Sequence, residues 1–334
     1  MEKTARDKQA AEGTAMHAIY FNGEKLLKKT MPKPRRGRLE ALVRVHLAGI
    51  CATDLEILEG YMGLRGVPGH EFVGTVESAP RRELIGKRVV GEINIPCGKC
   101  SICRRGLGKH CPTRSVLGIQ GKNGAFAEYL TLPVKNLHTV PAGIPDEAAV
   151  FTELLAAACE VPARVTIHRG QKVAVLGDGR LAAMVAQVLA LRTDHVNVFG
   201  TDKQKLALIG KTGVSTHGAG QLHAYRRSFD TVVECTGSPE GLPAAADLVR
   251  PQGTIVLKST YHGALQWNPS PLVVDEITIV GSRCGPFDTA LRLLALEEIV
   301  TRPFLTAVYP FVEWRRAFEH AREPGSFKIA VRLD

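Results

Sequence analysis

Four thiols, Cys97, Cys100, Cys103 and Cys111, stand within fifteen residues in the run C-G-K-C-S-I-C-R-R-G-L-G-K-H-C. Four thiolates around one ion form the closed tetrahedral arrangement that structural zinc prefers. Gaps this short let a single turning loop present all of them. The competing arrangement, two disulfides in an exported protein, would need an export signal, and none is expected from the opening residues. A site closed by four protein ligands has no position left for a substrate, so any activity has to come from other residues.

Cys51 and His70 are the next residues that could do chemistry. Cys51 lies in G-I-C-A-T-D at 49–54, and His70 lies in G-H-E at 69–71. Alone, Cys51 reads as a core thiol and His70 as a loop histidine. Both follow glycine or a glycine-bearing turn near the end of a strand-like run, where backbone can deliver a side chain to a cleft. Both also have a carboxylate close by, Asp54 and Glu71, of the kind that orients a metal-bound imidazole. A third ligand is then needed. Glu153, in Val150-Phe-Thr-Glu-Leu-Leu155, is the candidate because the first half's pattern gives way there. An exposed or helix-capping carboxylate is the alternative for that residue.

The elements that must position these residues are short strands broken by Gly and Pro. Ala41 to Leu47 alternates as a strand does and runs into the Cys51 segment; Val67 to Val76, Arg88 to Glu92 and residues 124–133 continue the β pattern. At Lys172 the pattern changes. Lys172-Val-Ala-Val-Leu-Gly-Asp-Gly-Arg-Leu-Ala182 reads as a strand, a glycine turn and a helix over Leu181 to Leu191. The glycine pattern is G-x-G-x-x-A: Gly177 makes the tight turn, Gly179 admits a pyrophosphate and Ala182 lets helix and strand pack closely. The helix then offers its first amides to the phosphates. Strands at Val196 to Phe199, Thr231 to Cys235, Gly253 to Leu257 and Glu276 to Val280 alternate with helices, as in a doubly wound parallel sheet. Asp178, Arg180, Leu181, Thr236 and Gly237 complete the expected dinucleotide contacts. Arg180 sits where it could touch phosphate or simply face solvent.

The end of the second strand chooses between nicotinamide cofactors. A carboxylate there binds the ribose 2′-hydroxyl and rejects a 2′-phosphate. Gly200 occupies that position, followed by Thr201, and Lys203 and Lys205 come next, which leans towards NADP. Asp202 keeps NAD open.

Composition narrows the remaining classes. The 334 residues are 45% hydrophobic and 23% charged, the balance of an ordinary globular protein of two domains or one large one. No run approaches the ~20 apolar residues of a membrane span. The net charge of +10 comes from scattered residues with no aromatic platform or basic helix, so nucleic acid is not the expected partner. A positive field also favours a phosphate-bearing cofactor. Eight cysteines point to a reducing, cytoplasmic setting. Residues 1–15 are polar and read as a disordered extension rather than a signal peptide.

Together, G-I-C-A-T-D, G-H-E, the four-cysteine run and G-D-G-R-L-A resemble the zinc-containing medium-chain dehydrogenases, the alcohol, sorbitol and threonine dehydrogenase superfamily. The resemblance covers nearly everything from Met16 onward. It implies an α/β protein: a GroES-like, β-rich catalytic domain at 16–151 and 297–334, and a Rossmann doubly wound domain at 152–296. It implies a second, catalytic zinc on Cys51, His70 and, as in the polyol branch, Glu153. Thr53 then matches the hydroxyl that touches the substrate oxygen and passes its proton outward, and Asp54 matches a carboxylate behind the ligands. The implied reaction is hydride transfer between an alcohol, polyol- or sugar-like, and NAD(P), with zinc as Lewis acid. A homodimer or homotetramer is implied as well.

Three departures stand out. The polyol relatives usually have Glu-Pro where this chain has Glu153-Leu154. A histidine that often relays the proton, five residues after the cysteine ligand, is replaced by Glu56, so the proton leaves through Glu56, ribose hydroxyls or water. Arg180 sits inside the glycine turn. A zinc-free NADPH reductase of the same fold and a non-catalytic dinucleotide-binding protein are the competing readings. Two zincs per chain, or turnover of any alcohol, separate the first reading from these.

Overall fold

The computed structural model describes residues 15–261 and 264–333. The extension expected at 1–15 lies outside the described residues except for Ala15, which already opens a strand. That strand, β1 (Ala15–Phe21), pairs antiparallel with β2 (Leu26–Pro32). β3 (Glu40–Ile50) is the longest strand of the first half, and its apolar residues are buried. It leads directly into the short helix α1 (Ala52–Leu58). β4 (Glu71–Ser78), β5 (Arg88–Gly91), β6 (Tyr129–Pro133) and β7 (Leu137–Thr139) follow. β3 pairs antiparallel with both β4 and β6.

Two β readings shorten for the same reason. Residues 67–70 and 124–128 are irregular backbone, because their amides and carbonyls bond to each other. Gly124 N donates to Val67 O at 2.7 Å and Ala125 N to Gly69 O at 2.9 Å. This cross-bonding satisfies the backbone of the loop that carries His70.

The helix α2 (Thr152–Arg164) opens the second half of the chain. β8 (Val173–Leu176) is buried along its whole length and enters the glycine turn, and α3 (Arg180–Ala190) leaves it. β9 (Val196–Gly200), α4 (Lys203–Gly210), β10 (Ser215–Gly218), β11 (Phe229–Glu234), β12 (Val249–Leu257) and β13 (Thr278–Gly281) follow. The last strand begins two residues later than the alternation suggests, because Glu276 takes a left-handed conformation at φ 52°.

The six strands form one sheet in the order β10-β9-β8-β11-β12-β13, parallel throughout. In chain order that is third, second, first, fourth, fifth, sixth, with the reversal between β8 and β11, where such sheets bind ligands. Ala174, Leu176, Phe199, Phe229, Val232 and Ile255 are among its buried core residues.

The chain ends return to the first sheet. β14 (Leu305–Pro310) and β15 (Lys328–Arg332) run parallel to each other, and β15 lies antiparallel to β3. Compact units follow this path: one ends at Glu153 and resumes at Leu305, and the other is Leu154–Phe304. Among the described residues no helix is long and apolar enough to cross a membrane.

Candidate active site

Strand register brings Cys51 and His70 together. Gly49 of β3 stands opposite Glu71 of β4. Cys51 follows β3 directly and His70 immediately precedes β4, so both side chains arrive at the same end of the sheet. A ligand atom from each of Cys51, His70 and Glu71 lies within 4.8 Å of the other two. Thiolate, imidazole and carboxylate are the donor types of catalytic zinc, which takes three protein ligands and keeps one position open. The geometry and the donor set therefore fit zinc.

Asp54 holds this corner. It is fully buried, so its charge needs partners. Oδ2 accepts from the Cys51 amide at 2.8 Å, and Oδ1 accepts from the Gly69 amide at 3.1 Å. His70 Nδ1 stands 3.4 Å from Oδ1, close enough for the charges to act but without the alignment of a hydrogen bond. Burial alone would lower the His70 pKa; the charges of Asp54 and Cys51 outweigh it and raise it well above the ordinary imidazole value. The negative charge that draws a proton to His70 would also draw a cation to this corner.

Glu71 is tied to Lys328. Both side chains are fully buried, and Lys328 Nζ donates to Glu71 Oε2. Ile329 stands opposite Ile50 in the β15–β3 register, which sets Lys328 beside the Cys51 corner. Lys328 Nζ also lies 5.6 Å from the centre of the Phe151 ring. The sequence reading missed Lys328. Its signal was a lysine inside the otherwise apolar run Phe327 to Val331. The carboxylate grouped with Cys51 and His70 is Glu71; Glu153, half-buried in the first turn of α2, is not part of that group. Thr53 and Glu56 lie on α1, half-buried and flanking its buried Asp54 and Ile57.

The four-cysteine loop is compact. Sγ–Sγ separations are 3.4 Å for Cys100–Cys103, 3.8 Å for Cys100–Cys111 and 3.9 Å for Cys97–Cys103, and one sulfur from each lies within 4.8 Å of all the others. A tetrahedron of Zn–S bonds of ~2.3 Å has edges of about 3.8 Å, so the thiols fit that ion. Backbone amides point at the sulfurs: Cys103 N donates to Cys100 Sγ and Cys97 N to Cys111 Sγ. Without a metal, the thiols titrate apart. Backbone amides of Lys99 and Cys100 draw Cys97 down to about 5, while burial and the Cys100 thiol push Cys103 up to about 12. Among the described residues no cysteine is joined in a disulfide.

The dinucleotide candidates meet in the second unit. Gly177 has φ 113°, and a Cβ there would come within 2.7 Å of Cys235 O. Among the described residues no side chain caps α3, which starts after Gly179, so the start of the helix faces the turn as a phosphate site requires. A cavity of about 520 Å³ is lined by Gly177, Asp178, Gly179, Gly200, Thr201, Lys205 and Thr236. Arg180, Leu181 and Gly237 are not among its lining residues. The buried Glu234 was also missed. Its Oε1 accepts from the Thr236 amide at 2.7 Å and from Ser259 Oγ at 2.8 Å, which fixes the turn after β11. A glutamate in an apolar strand was its signal, the same kind as for Lys328.

Two family models match the chain: the alcohol dehydrogenase GroES-like domain over residues 37–142 and the zinc-binding dehydrogenase domain over residues 179–297. With the two zinc-fitting clusters and the sheet order, they show that the chain belongs to the zinc-containing medium-chain dehydrogenase superfamily. It is an oxidoreductase of the zinc-dependent, NAD(P)-linked kind. A sorbitol dehydrogenase of Halalkalibacterium halodurans is 28% identical over 329 residues, covering 90% of this chain and 93% of that protein. D-arabinitol dehydrogenase 1 of Uromyces fabae is 29% identical, covering 88% and 90%. A solved zinc-binding dehydrogenase structure from Sinorhizobium meliloti 1021, bound to NADP, is 25% identical with a TM-score of 0.89, covering 95% and 99%.

Proposed function

We propose that this chain interconverts a polyol- or sugar-like alcohol and its carbonyl form, with Cys51, His70 and a glutamate as the catalytic metal ligands. The observation that carries this reading is the grouping of Cys51, His70 and Glu71 around the buried Asp54. The sorbitol and D-arabinitol dehydrogenases among its relatives support the substrate class.

Zinc at that corner would supply Lewis acidity to the alcohol oxygen, and the nicotinamide would take up the hydride. Thr53 receives the hydroxyl proton, and Glu56, three residues further on and on the same face of the helix, is the chain's own group for passing it to solvent. Asp54 keeps the imidazole and the Cys51 amide in register. Lys328 neutralises Glu71 and fixes its orientation. Gly177, Gly179 and the amides that begin α3 hold the pyrophosphate, while Thr236, set by Glu234, shapes the cavity wall.

Zinc content tests the ligand set. Native protein is expected to carry two zincs per chain. Glu71 is the carboxylate within reach of Cys51 and His70, and Glu153 is the one the family resemblance implies. Of Glu71→Gln and Glu153→Gln, the variant that removes the true ligand falls to one zinc. A native content of one zinc, with full turnover, would replace this reading with a zinc-free reductase. A panel of polyols and sugars with NAD and NADP tests the substrate class, and turnover confined to simple alkanols would refute it.

The chain is proposed to form homodimers or homotetramers and to work in the cytoplasm. Support for assembly is the edge strand β13, which exposes Ile279, near the exposed Val273 and Val274 in sequence. Sedimentation of the purified protein as a monomer would refute it. A cluster of four thiols spaced to hold an ion rather than to form disulfides supports the compartment.

A further inference from the structure

We propose that Asp178, inside the glycine turn, is the residue that selects the cofactor, accepting the adenosine ribose 2′-hydroxyl and turning away a 2′-phosphate, so that the chain prefers NAD(H) to NADP(H). This rests on the dinucleotide reading of the cavity given above.

In this fold the ribose is read at the end of the second strand, where an acid selects the hydroxyl. Here that strand is β9, and its last residue, Gly200, has no side chain to offer. The space is filled from another direction. A Cβ on Gly200 would lie 2.4 Å from Asp178 Oδ2 and 2.5 Å from Asp178 Cβ. An acid at 200 and Asp178 cannot coexist, and a carboxylate still stands at the strand's end.

Its position is built. Asp178 Oδ2 accepts from the amides of Thr201 at 2.6 Å and Asp202 at 2.7 Å. These are the first two amides past β9, the ones a 2′-phosphate would need. An internal carboxylate already holds them, and its charge opposes that of a phosphate. Among the described residues no donor reaches Oδ1, and Asp178 lines the cavity. That oxygen is left to accept the 2′-hydroxyl.

Asp202 is turned to another task. Its Oδ1 accepts from the amides of Gln204 at 2.9 Å and Lys205 at 3.1 Å, capping α4. This arrangement runs against the lean that Lys203 and Lys205 give to NADP, because the carboxylate stands nearer the ribose position than sequence order suggests.

The test is equilibrium binding of NADH and NADPH to the zinc-loaded protein, followed by nicotinamide fluorescence, for native chain, Asp178→Asn and Asp178→Ala. Native protein is expected to bind NADH at least about tenfold tighter than NADPH. Both variants should shift that ratio towards NADPH by about tenfold or more, Asp178→Ala further because it frees both amides. Equal or tighter NADPH binding by native protein overturns the inference while leaving the dinucleotide site standing. So does a ratio unchanged in Asp178→Asn. Binding of neither cofactor overturns the dinucleotide reading and this inference with it. The native ratio and Asp178→Asn decide the matter even if Asp178→Ala fails to fold.

Discussion

Asp54 uses both carboxylate oxygens to tie the Cys51 and Gly69 amides to one point, and His70 leans on the same group. Groups that orient metal ligands from behind change metal affinity by about 10–100-fold when removed. Asp54→Ala is therefore expected to lose one of two zincs on dialysis against a weak chelator, with turnover falling in step. Retention of both zincs would show that Asp54 acts elsewhere. Lys328 presents a different balance. Leaving one member of a buried ion pair unpartnered costs about 3–5 kcal/mol. Lys328→Met is expected to lower unfolding stability by that order, whereas Lys328→Arg keeps the charge and retains most of it. Urea unfolding of the two variants checks this, and equal losses would point to packing rather than charge.

The four-cysteine loop is an element whose order depends on its ion. Ser101 to Arg104 makes only one helical turn, and within residues 97–111 the buried apolar residue is Cys111, whose neighbours His110 and Pro112 are exposed. A metal cross-link supplies the folding free energy that so small a core cannot. Cys103→Ser should drop zinc to one per chain and lower the melting temperature by at least about 5 °C, with kcat of the folded fraction little changed. Loss of turnover with melting temperature and zinc content intact would contradict a structural role. This element was legible in sequence because its four ligands are neighbours along the chain, and so was the βα turn from Val173 to Ala190. The strands around His70 were less so. Residues 67–70 look like the start of a strand, yet their backbone partners are Gly124 and Ala125, more than fifty positions on.

At the scale of the whole molecule, acid stability depends on contacts between distant segments. Asp146 joins β3 and β5: its Oδ2 meets His46 Nδ1 at 2.8 Å, and its Oδ1 accepts from Arg88 Nη1 at 2.7 Å. The His46 hydrogen bond, opposed by burial and aided by Arg88, holds the Asp146 carboxyl below its usual value. A lowered folded pKa stabilises above the unfolded value of about 3.9 and loses that contribution as pH falls through the folded value. Asp146→Asn is thus expected to be less stable than native by about 1–2 kcal/mol near neutral pH, and the gap should close in strong acid. Denaturant midpoints across pH check it, and a gap that widens in acid would reverse the sign.

Sequence alone determined what depends on neighbouring residues: the thiol spacing of one zinc loop, the glycine turn, the alternation of strand and helix, and the Cys51 and His70 candidates. Tertiary structure decided which groups meet. Lys328 reaches Glu71 across 257 positions, and Asp178 reaches the amides past β9 across 23 and 24. Strand register and a close approach over Gly200 make those encounters. Neither leaves a local trace beyond a charge where an apolar residue was due, because pairing across a sheet is set by the fold as a whole rather than by any single segment.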